Sequence, residues 1–451
     1  MEGEHTTTKL MTEGSIAKQI LLFSIPLILG NLLQQTYNAA DSIIVGNFTG
    51  SGALAAVGSS TSLINLLIAF SMGASTGAGV LVSQFLGARA GKSLEESVHT
   101  ALSLSMILGL VLTAAGVLLT PQILEWMDTP ADVMEQSVTY LRIFSYGLFF
   151  NVLYNMAAGI LNAAGNSRRS LLYLGVAAVT NIVLDIIFVR NFRMGVAGAA
   201  IATDISQVLS SLLALAFLMR TREEYRVDLR KLRLRKDMTM RILRVGLPTG
   251  IQNMVISFSN ILLQSSVNQF GSHAMAGFGA YLKVDGFNIL PITSFSMAAT
   301  TFTGQNYGAG RMDRVKKGMW VTLLMGVVYT IVLGIVLLTF SHQVIGLFSR
   351  DADVIEYGVL AIKYFCPFYF MLSIMHSLAG TVRGTGRTVP PMVVLLVSLC
   401  LFRIFWIRAI LPHFNSLDGI YVLYPVSWAV GLVLMVLYTW KGKWREGTAK
   451  N

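Results

Sequence analysis

Apolar residues come in runs of about 20, the length a helix needs to cross the hydrocarbon of a bilayer, and the runs recur from end to end of the chain. By that measure about twelve spans can be marked. The first set begins near Ile16, Leu54, Leu94, Gln136, Ser170 and Gly195, the second near Met240, Ala274, Val315, Ile355, Val389 and Asp418. The two-residue alternation of a membrane strand is absent from these runs. The pattern predicts an all-α polytopic membrane protein. Polar stretches divide it into a leader at 1–15, helices one to six over 16–219, a basic linker at 220–238, helices seven to twelve over 239–440 and a tail at 441–451.

The second set repeats the first at a fixed distance. Gly50-Ser51 returns as Gly271-Ser272, Ala53, Ala55 and Gly58 return as Ala274, Ala276 and Gly279, and Gln84, Gly87 and Ala88 return as Gln305, Gly308 and Ala309. Gly159 and Gly165 return as Gly380 and Gly386, so the offset, 380 − 159, is 221. Two pseudo-symmetric six-helix lobes follow, and internal repeats in an apolar chain point to a secondary transporter with its site between repeats. Pro26 in helix one and Pro248 in helix seven stand one residue off the offset. A proline there frees a carbonyl and favours a bend. Runs of Gly and Ala such as 195–200 let helix backbones approach closely.

Charge refines the picture. Only 13% of residues are charged while 54% are hydrophobic, far from the balance of a soluble domain. The net charge of +11 is set out in alternate loops, at Arg89 and Lys92, Arg168 and Arg169, 220–244, 311–317, Arg383 and Arg387, and 441–445. The intervening loops are acidic or poor in cations, as at Glu125 and Asp132, with Arg190 and Arg193 the exception. Cytoplasmic loops carry the Lys/Arg excess, so both termini are expected in the cytoplasm of a cell-membrane protein. The basic run 220–244 is accordingly a topology anchor and linker, and no nucleic-acid partner is expected. The two cysteines, Cys366 and Cys400, lie in apolar runs and suggest neither disulfide nor zinc site. The first run has no small-residue cleavage site and is expected to stay as helix one. Gly87-Ala88-Arg89-Ala90-Gly91-Lys92-Ser93 is one residue short of a phosphate loop and joins two membrane helices, so it is not a nucleotide site. No nucleophile set is apparent, so no enzyme is expected and no cofactor is called for.

The chemistry is concentrated in acids within the spans. Asp41 lies in helix one, Asp185 in helix five, and Thr203 and Asp204 in helix six. A carboxylate at mid-membrane costs about 2.5–3.5 kcal/mol on insertion scales and marks a paired, hydrated or functional group. Tyr37 and Asp41 are four apart, as are Asn181 and Asp185, so each pair shares a helix face. With Thr203 they offer carboxylate, amide and hydroxyl oxygens to a hard cation such as Na+. Desolvation also favours a protonated carboxyl group, so H+ is equally suitable. At the common offset Asp41 becomes Leu262, Asp185 Trp406, Thr203 Tyr424 and Asp204 Pro425. The set is confined to the first half, which argues for chemistry over folding. Asp204 is divided between this role and a backbone contact.

The second half has Lys283 and Asp285 in helix eight, Lys363 in helix ten and Arg403 in helix eleven. Lys283 and Asp285 are two apart and point away from each other, and Arg403 is the expected ion-pair partner of Asp285, with a second coupling site as the alternative. Asn151 and Asn155, one turn apart on helix four, either line a wet cavity or stitch helices. The 21 Met and 24 Phe suit a cavity for varied apolar cations, although packing and lipid contact account for most of them.

The stretch 34–46 with Asp41, Gly77-Ala78-Gly79 leading to Val82-Ser83-Gln84, Ala157-Ala158-Gly159 through Gly165, Asn181 with Asp185, and 195–200 followed by Thr203 together resemble the multidrug and toxic compound extrusion family. The resemblance covers nearly the whole chain. It implies two six-helix lobes with a V-shaped cavity and export of organic cations and other toxic compounds in exchange for Na+ or H+. Asp41, Asn181, Asp185 and Thr203 match the polar set of its prokaryotic branch with an amino-terminal-lobe site. Another branch has acids on helices seven and ten, but helix seven here has none and helix ten only Glu356 at its edge. The expectation is a monomeric antiporter for small drugs or toxins. Asp41, Asn181, Asp185 and Thr203 would handle the ion and Gln34, Tyr37, Asn151 and Asn155 the substrate. Asp204 and Asp285 are of second rank. A lipid-linked oligosaccharide flippase, with Lys283, Lys363 and Arg403 on a pyrophosphate, is the chief rival, and a passive channel the lesser one.

Overall fold

The structure, a computed structural model, describes residues 10–127, 129–414, 416–442 and Trp444. The first nine residues of the leader and the tail from 443 on, Trp444 apart, lie outside the described residues. Every regular element among the described residues is helical. In order they are α1 (Ile16–Thr49), α2 (Ser51–Gly87), α3 (Gly91–Trp126), α4 (Ala131–Ala163), α5 (Ser167–Asp185), α6 (Gly195–Arg220), α7 (Lys236–Asn268), α8 (Ser272–Gly308) and α9 (Met312–Thr339). There follow the short α10 (Ser341–Gly346), α11 (Ala352–Phe365), α12 (Tyr369–Gly384), α13 (Val389–Leu396), α14 (Phe402–Phe405) and α15 (Asp418–Trp440). A 3₁₀ turn at Cys366–Phe368 joins α11 to α12, and a π turn at Val397–Leu401 joins α13 to α14. Each pair is one continuous rod, so twelve long rods result once α10 is set aside.

Among the described residues, ten of the rods are apolar enough to cross a membrane on their own account. The two that are not, α7 and α8, are 33 and 37 residues long, about 50 Å or more at 1.5 Å per residue. Their polarity has a plain origin. From Val245 to its end α7 has no charged residue, but Gln252, Asn253, Asn260 and Gln264 interrupt its apolar run, and α8 carries His273, Lys283, Asp285 and a polar final turn at Gln305 and Asn306. The outward faces of the rods hold exposed Leu118, Ile335 and Val433, as lipid contact requires, and Trp126 and Trp440 stand exposed at rod ends, where amphipathic rings meet the headgroups.

The chain forms two compact units, one built on Ile25–Gly250 and the other on Met11–Ser24 with the residues from Ile251 onward. The division therefore falls inside α1 and inside α7, next to Pro26 and Pro248. In the first unit α4 packs on α2, α3 and α6, and in the second α8 packs on α9, α11 and α12. The second core is the more aromatic, with Phe278, Tyr281, Phe365, Tyr369, Tyr421, Tyr424 and Trp428 in mutual contact.

The repeat extends to single hydrogen bonds. Ser75 Oγ donates to Asn155 O at 2.6 Å, and its counterpart Ser296 Oγ donates to His376 O at 2.7 Å. Gly159 and Gly380 admit these contacts, because a Cβ at either would overlap the serine opposite. Gly50 and Gly271, with φ of 103° and 96°, make the matching turns into α2 and α8, a conformation that only glycine adopts without strain.

The segments that precede α1 and α7 are both tied down, by opposite chemistry. In the first unit the linker lies along the start of α3, where Lys231 pairs with Glu95 at 2.7 Å, Arg235 pairs with Glu96 at 2.7 Å, and the Asp228 backbone N–H donates to His99 Nε2 at 3.0 Å. In the second unit it is the rod ends that are basic. Arg314 donates to Met11 O at 3.1 Å and Gly14 O at 3.0 Å, and Arg311 donates to Thr12 O at 2.7 Å.

Candidate functional site

The first unit brings Asp41, Asn181, Asp185 and Thr203 together from three helices. Asp41 lies eight residues before the end of α1, Asp185 closes α5, and Thr203 lies eight residues into α6. Asp41 and Thr203 thus lie roughly 12 Å along their helices from one end. α5 passes directly from Asp185 into a π turn at Ile186–Asn191. Such turns concentrate at functional sites, because they release a carbonyl and re-aim a side chain.

Burial at this place is severe and incompletely compensated. Asp185 is 0% exposed, Asn181 2% and Asp41 9%. Asn181 Nδ2 donates to Thr203 Oγ1 at 3.4 Å, which leaves the amide oxygen free. Both carboxyl oxygens of Asp185, Oδ1 of Asp41 and Oδ1 of Asn181 are buried without a hydrogen-bond partner. Asp41 and Asp185 are close enough for their charges to interact. Orphaned buried acceptors are rare in folded proteins and costly. An all-oxygen set with two carboxylates fits Na+, and protonation of the carboxyls would relieve the same cost. No arginine or lysine among the described residues pairs with either acid.

The remaining first-half residues divide. Tyr37, half-buried on α1, shares a side-chain hydrogen bond with Gln34 and lies within electrostatic reach of Asp41. Asn155 Nδ2 donates to Asn151 Oδ1 at 2.8 Å and to Ser71 Oγ at 3.3 Å, so these amides pin α4 to α2. Asp204 faces α4, its carboxyl against Gly147, with Oδ1 buried and unbonded. Tyr140 on α4 is a participant that the sequence did not disclose. It is buried among the charges of Asp41, Asp185 and Asp204 and lies near Tyr37. One tyrosine in an apolar run gives no signal by itself, and only the α4–α6 packing brings it to the acids.

The second unit corrects one expectation. Asp285 and Arg403 do not form an ion pair. Asp285 accepts from Tyr281 OH at 3.2 Å and from Tyr369 OH, while Arg403 donates to Ser427 Oγ at 3.1 Å and Ser259 Oγ at 3.0 Å. Tyrosine hydroxyls one turn away and across the α8–α12 contact satisfy the acid without a cation. Lys283 and Lys363 are exposed. Lys363 lines a surface cavity of about 440 Å³ with His273, Asp353 and Glu356, and Glu356 also pairs with His342 at 3.1 Å.

Comparison with known proteins bears on this arrangement as a whole. The MatE family pattern matches residues 26–187 and again 248–406, one stretch in each half. The chain belongs to the MatE family. MatE proteins are membrane transporters, so the protein is a polytopic membrane transport protein and not an enzyme. It is 30% identical over 456 residues to the probable multidrug resistance protein YoeA of Bacillus subtilis, covering 98% of this chain and 97% of that one. It is 29% identical over 435 residues to the probable multidrug resistance protein YpnP of the same organism, covering 96% and 97%. A solved MOP superfamily transporter from Pyrococcus furiosus superposes with a TM-score of 0.90 at 25% identity, covering 98% of both chains. The likeness to that solved transporter thus extends over 98% of the chain.

Proposed function

We propose that this MatE protein is a cation-coupled antiporter that exports small amphipathic, cationic drugs or toxins. Asp41 and Asp185 load the coupling ion, H+ or Na+, and Asn181 and Thr203 complete its shell. The observation that carries the reading is the group of buried, partnerless oxygens on Asp41, Asn181 and Asp185. Loading an ion removes the cost of those atoms, so the empty and loaded states differ in energy at this place. One cation moving inward contributes about 2.3 kcal/mol per 100 mV of membrane potential. The contribution drives export when ion-loaded and drug-loaded states exclude each other, since a ligand shifts an equilibrium only by its differential affinity for the two states. Gln34 and Tyr37 are the substrate contacts on α1, and Asn151 and Asn155 act on substrate through the α2–α4 contact that they hold. The names of the two Bacillus relatives support multidrug export.

The test is efflux of a cationic dye from membrane vesicles, with a sodium gradient and a pH gradient imposed separately. One of the two should drive efflux in the native protein, and Asp41→Asn should abolish it with expression intact. Unchanged efflux in that variant would remove Asp41 from the mechanism. The oligosaccharide flippase reading needs several cations converging on a pyrophosphate. Exposed Lys283 and Lys363, with Arg403 buried among serines, favour the antiporter.

A further inference from the structure

The starts of α8 and α11 bring an imidazole and two carboxylates to one place in the second unit. The ligating atoms of His273, Asp351 and Asp353 all lie within 4.8 Å of one another. His273 is the second residue of α8, Asp351 caps α11, and Asp353 lies in its first turn. Asp351 Oδ1 accepts from the Asp353 backbone N–H at 2.9 Å, and its Oδ2 is turned to His273 Nε2 at 3.6 Å. One turn further in, α8 and α11 touch through their backbones, since a Cβ at Gly277 would overlap Val354 O. The two elements that carry the donors are thus fixed against each other close to them. A cavity of about 440 Å³ opens beside the cluster, lined by His273 and Asp353 and continued by Glu356, which His342 meets at 3.1 Å. Lys363 also lines it, but stands ten residues after Asp353, about 15 Å along the helix, and makes no ion pair among the described residues.

The internal repeat separates what is ordinary here from what is added. At the offset of 221, Asp353 and Glu356 correspond to Asp132 and Glu135, whereas His273 corresponds to Gly52 and Asp351 to Pro130. Acids in a first turn complement the helix dipole, which accounts for the pair that both halves keep. It does not account for the imidazole and the further carboxylate. The second half adds these on backbones that the repeat holds alike: Gly50 and Gly271 make the same turn, and Pro130 and Asp351 are both caps. The addition also concentrates negative charge, since Asp353 and Glu356 are three apart on one helix face and like charges at that spacing repel. A cation held between them relieves the repulsion. An imidazole nitrogen suits zinc, copper, iron and nickel, whereas magnesium and calcium prefer all-oxygen sets. Donors about 2 Å from a zinc ion lie roughly 3.3 Å apart, so small rotations of exposed side chains close this cluster on one ion and leave positions for water.

We infer that His273, Asp351 and Asp353 form a binding site for a divalent transition-metal ion of the zinc type, which clasps the start of α8 to the start of α11. Glu356 stands next to the three on the cavity wall and is held by His342, so it supplies charge to the ion's surroundings. The site belongs to the second unit alone and shares no residue with the oxygen cluster of Asp41, Asn181 and Asp185. It therefore stands or falls independently of the antiporter reading.

The experiment is a calorimetric titration of Zn2+ into the full-length protein, purified without a polyhistidine tag, with melting temperatures taken in Zn2+ and in a chelator. The native protein should bind one Zn2+ per chain and melt at a higher temperature with it. His273→Ala and Asp353→Asn should each weaken binding by at least about tenfold, the least that the loss of even an outer partner of a metal site costs. Asp351→Asn should weaken it likewise while leaving the melting temperature in chelator unchanged, because asparagine caps a helix as well as aspartate does. His413→Ala, at an exposed histidine outside the cluster, should bind as the native protein does. Absence of Zn2+ binding in the native protein would overturn the inference, as would binding that survives His273→Ala or falls equally in His413→Ala. Displacement of Zn2+ by an equal concentration of Ca2+ or Mg2+ would reduce the place to an acidic patch. Dye efflux enters none of these outcomes, so a failure of the antiporter reading would be seen separately.

Discussion

Gly147 on α4 lies directly under the carboxyl group of Asp204 on α6, so close that a Cβ at 147 would overlap Oδ1. The two helices are packed through this point, and Asp204 Oδ1 is shut in without a hydrogen-bond partner. Gly147→Ala should therefore force the helices apart, with a loss of about 1–3 kcal/mol by the usual cost of overpacking. The loss should appear as a lower melting temperature in detergent. Asp204→Ala in the Gly147→Ala background should restore most of it, because the overlapping atoms are then gone. Failure of the second change to rescue the first would show that the strain lies in the backbones and not in the carboxyl.

Asp41 and Asp185 share one environment without a bond between them, and residues that act as a unit lose function non-additively. Asp41→Asn and Asp185→Asn should each lower ion-driven dye efflux by at least about a hundredfold, the scale of removing one member of such a unit. The double variant should be no worse than either single one. Additive losses in vesicle efflux would mean that the two carboxyls load separate ions.

The sequence made the twelve rods and their repeat legible, because hydrophobic run length and a fixed offset are properties of the chain alone. The same offset carries through to the Ser75–Asn155 and Ser296–His376 bonds. It also made Asp41, Asn181 and Asp185 conspicuous, since a lone acid in an apolar run is conspicuous whatever surrounds it. What the chain did not disclose depends on contacts between distant helices. Tyr281 is one turn from Asp285 and was within reach of a spacing argument, but Tyr369 lies 84 residues beyond the acid and was not. Charge complementarity suggested Arg403 as the partner instead, because a sequence shows which charges exist and not which hydroxyls are already in place. Tyr140 and Gly147 were invisible for the same reason, as an aromatic ring and a glycine are ordinary residues of a membrane helix until α4 is laid against α6.

The hydroxyls of Tyr281 and Tyr369 both lie within hydrogen-bond reach of the same oxygen of Asp285 and of each other, so their two protons are shared among three contacts. Removing one hydroxyl leaves the carboxylate under-satisfied, which typically costs about 1–3 kcal/mol. Tyr369→Phe should destabilise the protein by that amount, and Asp285→Asn should lessen the penalty because an amide is easier to leave partly bonded. A double-mutant cycle on melting in detergent checks both. Zero coupling between positions 285 and 369 would show that the three-way bond contributes nothing to stability.

Arg314 holds the leader of the second unit with donors from both terminal nitrogens, and its Nε is fixed by Asn306 Oδ1 at 3.0 Å. Asn306 in turn donates to Met11 O at 3.1 Å, and the Met11 N–H donates to Gln305 Oε1 at 2.8 Å. The clamp therefore depends on one guanidinium in a fixed orientation, and a lysine cannot reproduce its fork. Arg314→Lys should loosen the leader almost as much as Arg314→Ala. Amide exchange at Met11 should rise about tenfold or more in both variants, in keeping with the loss of a charged hydrogen bond, while exchange at Asp228 in the linker of the first unit stays unchanged. Exchange that rises equally in both places would mean that the substitution unfolds the protein as a whole, and exchange that does not rise at Met11 would mean that Gln305 and Asn306 hold the leader without the arginine.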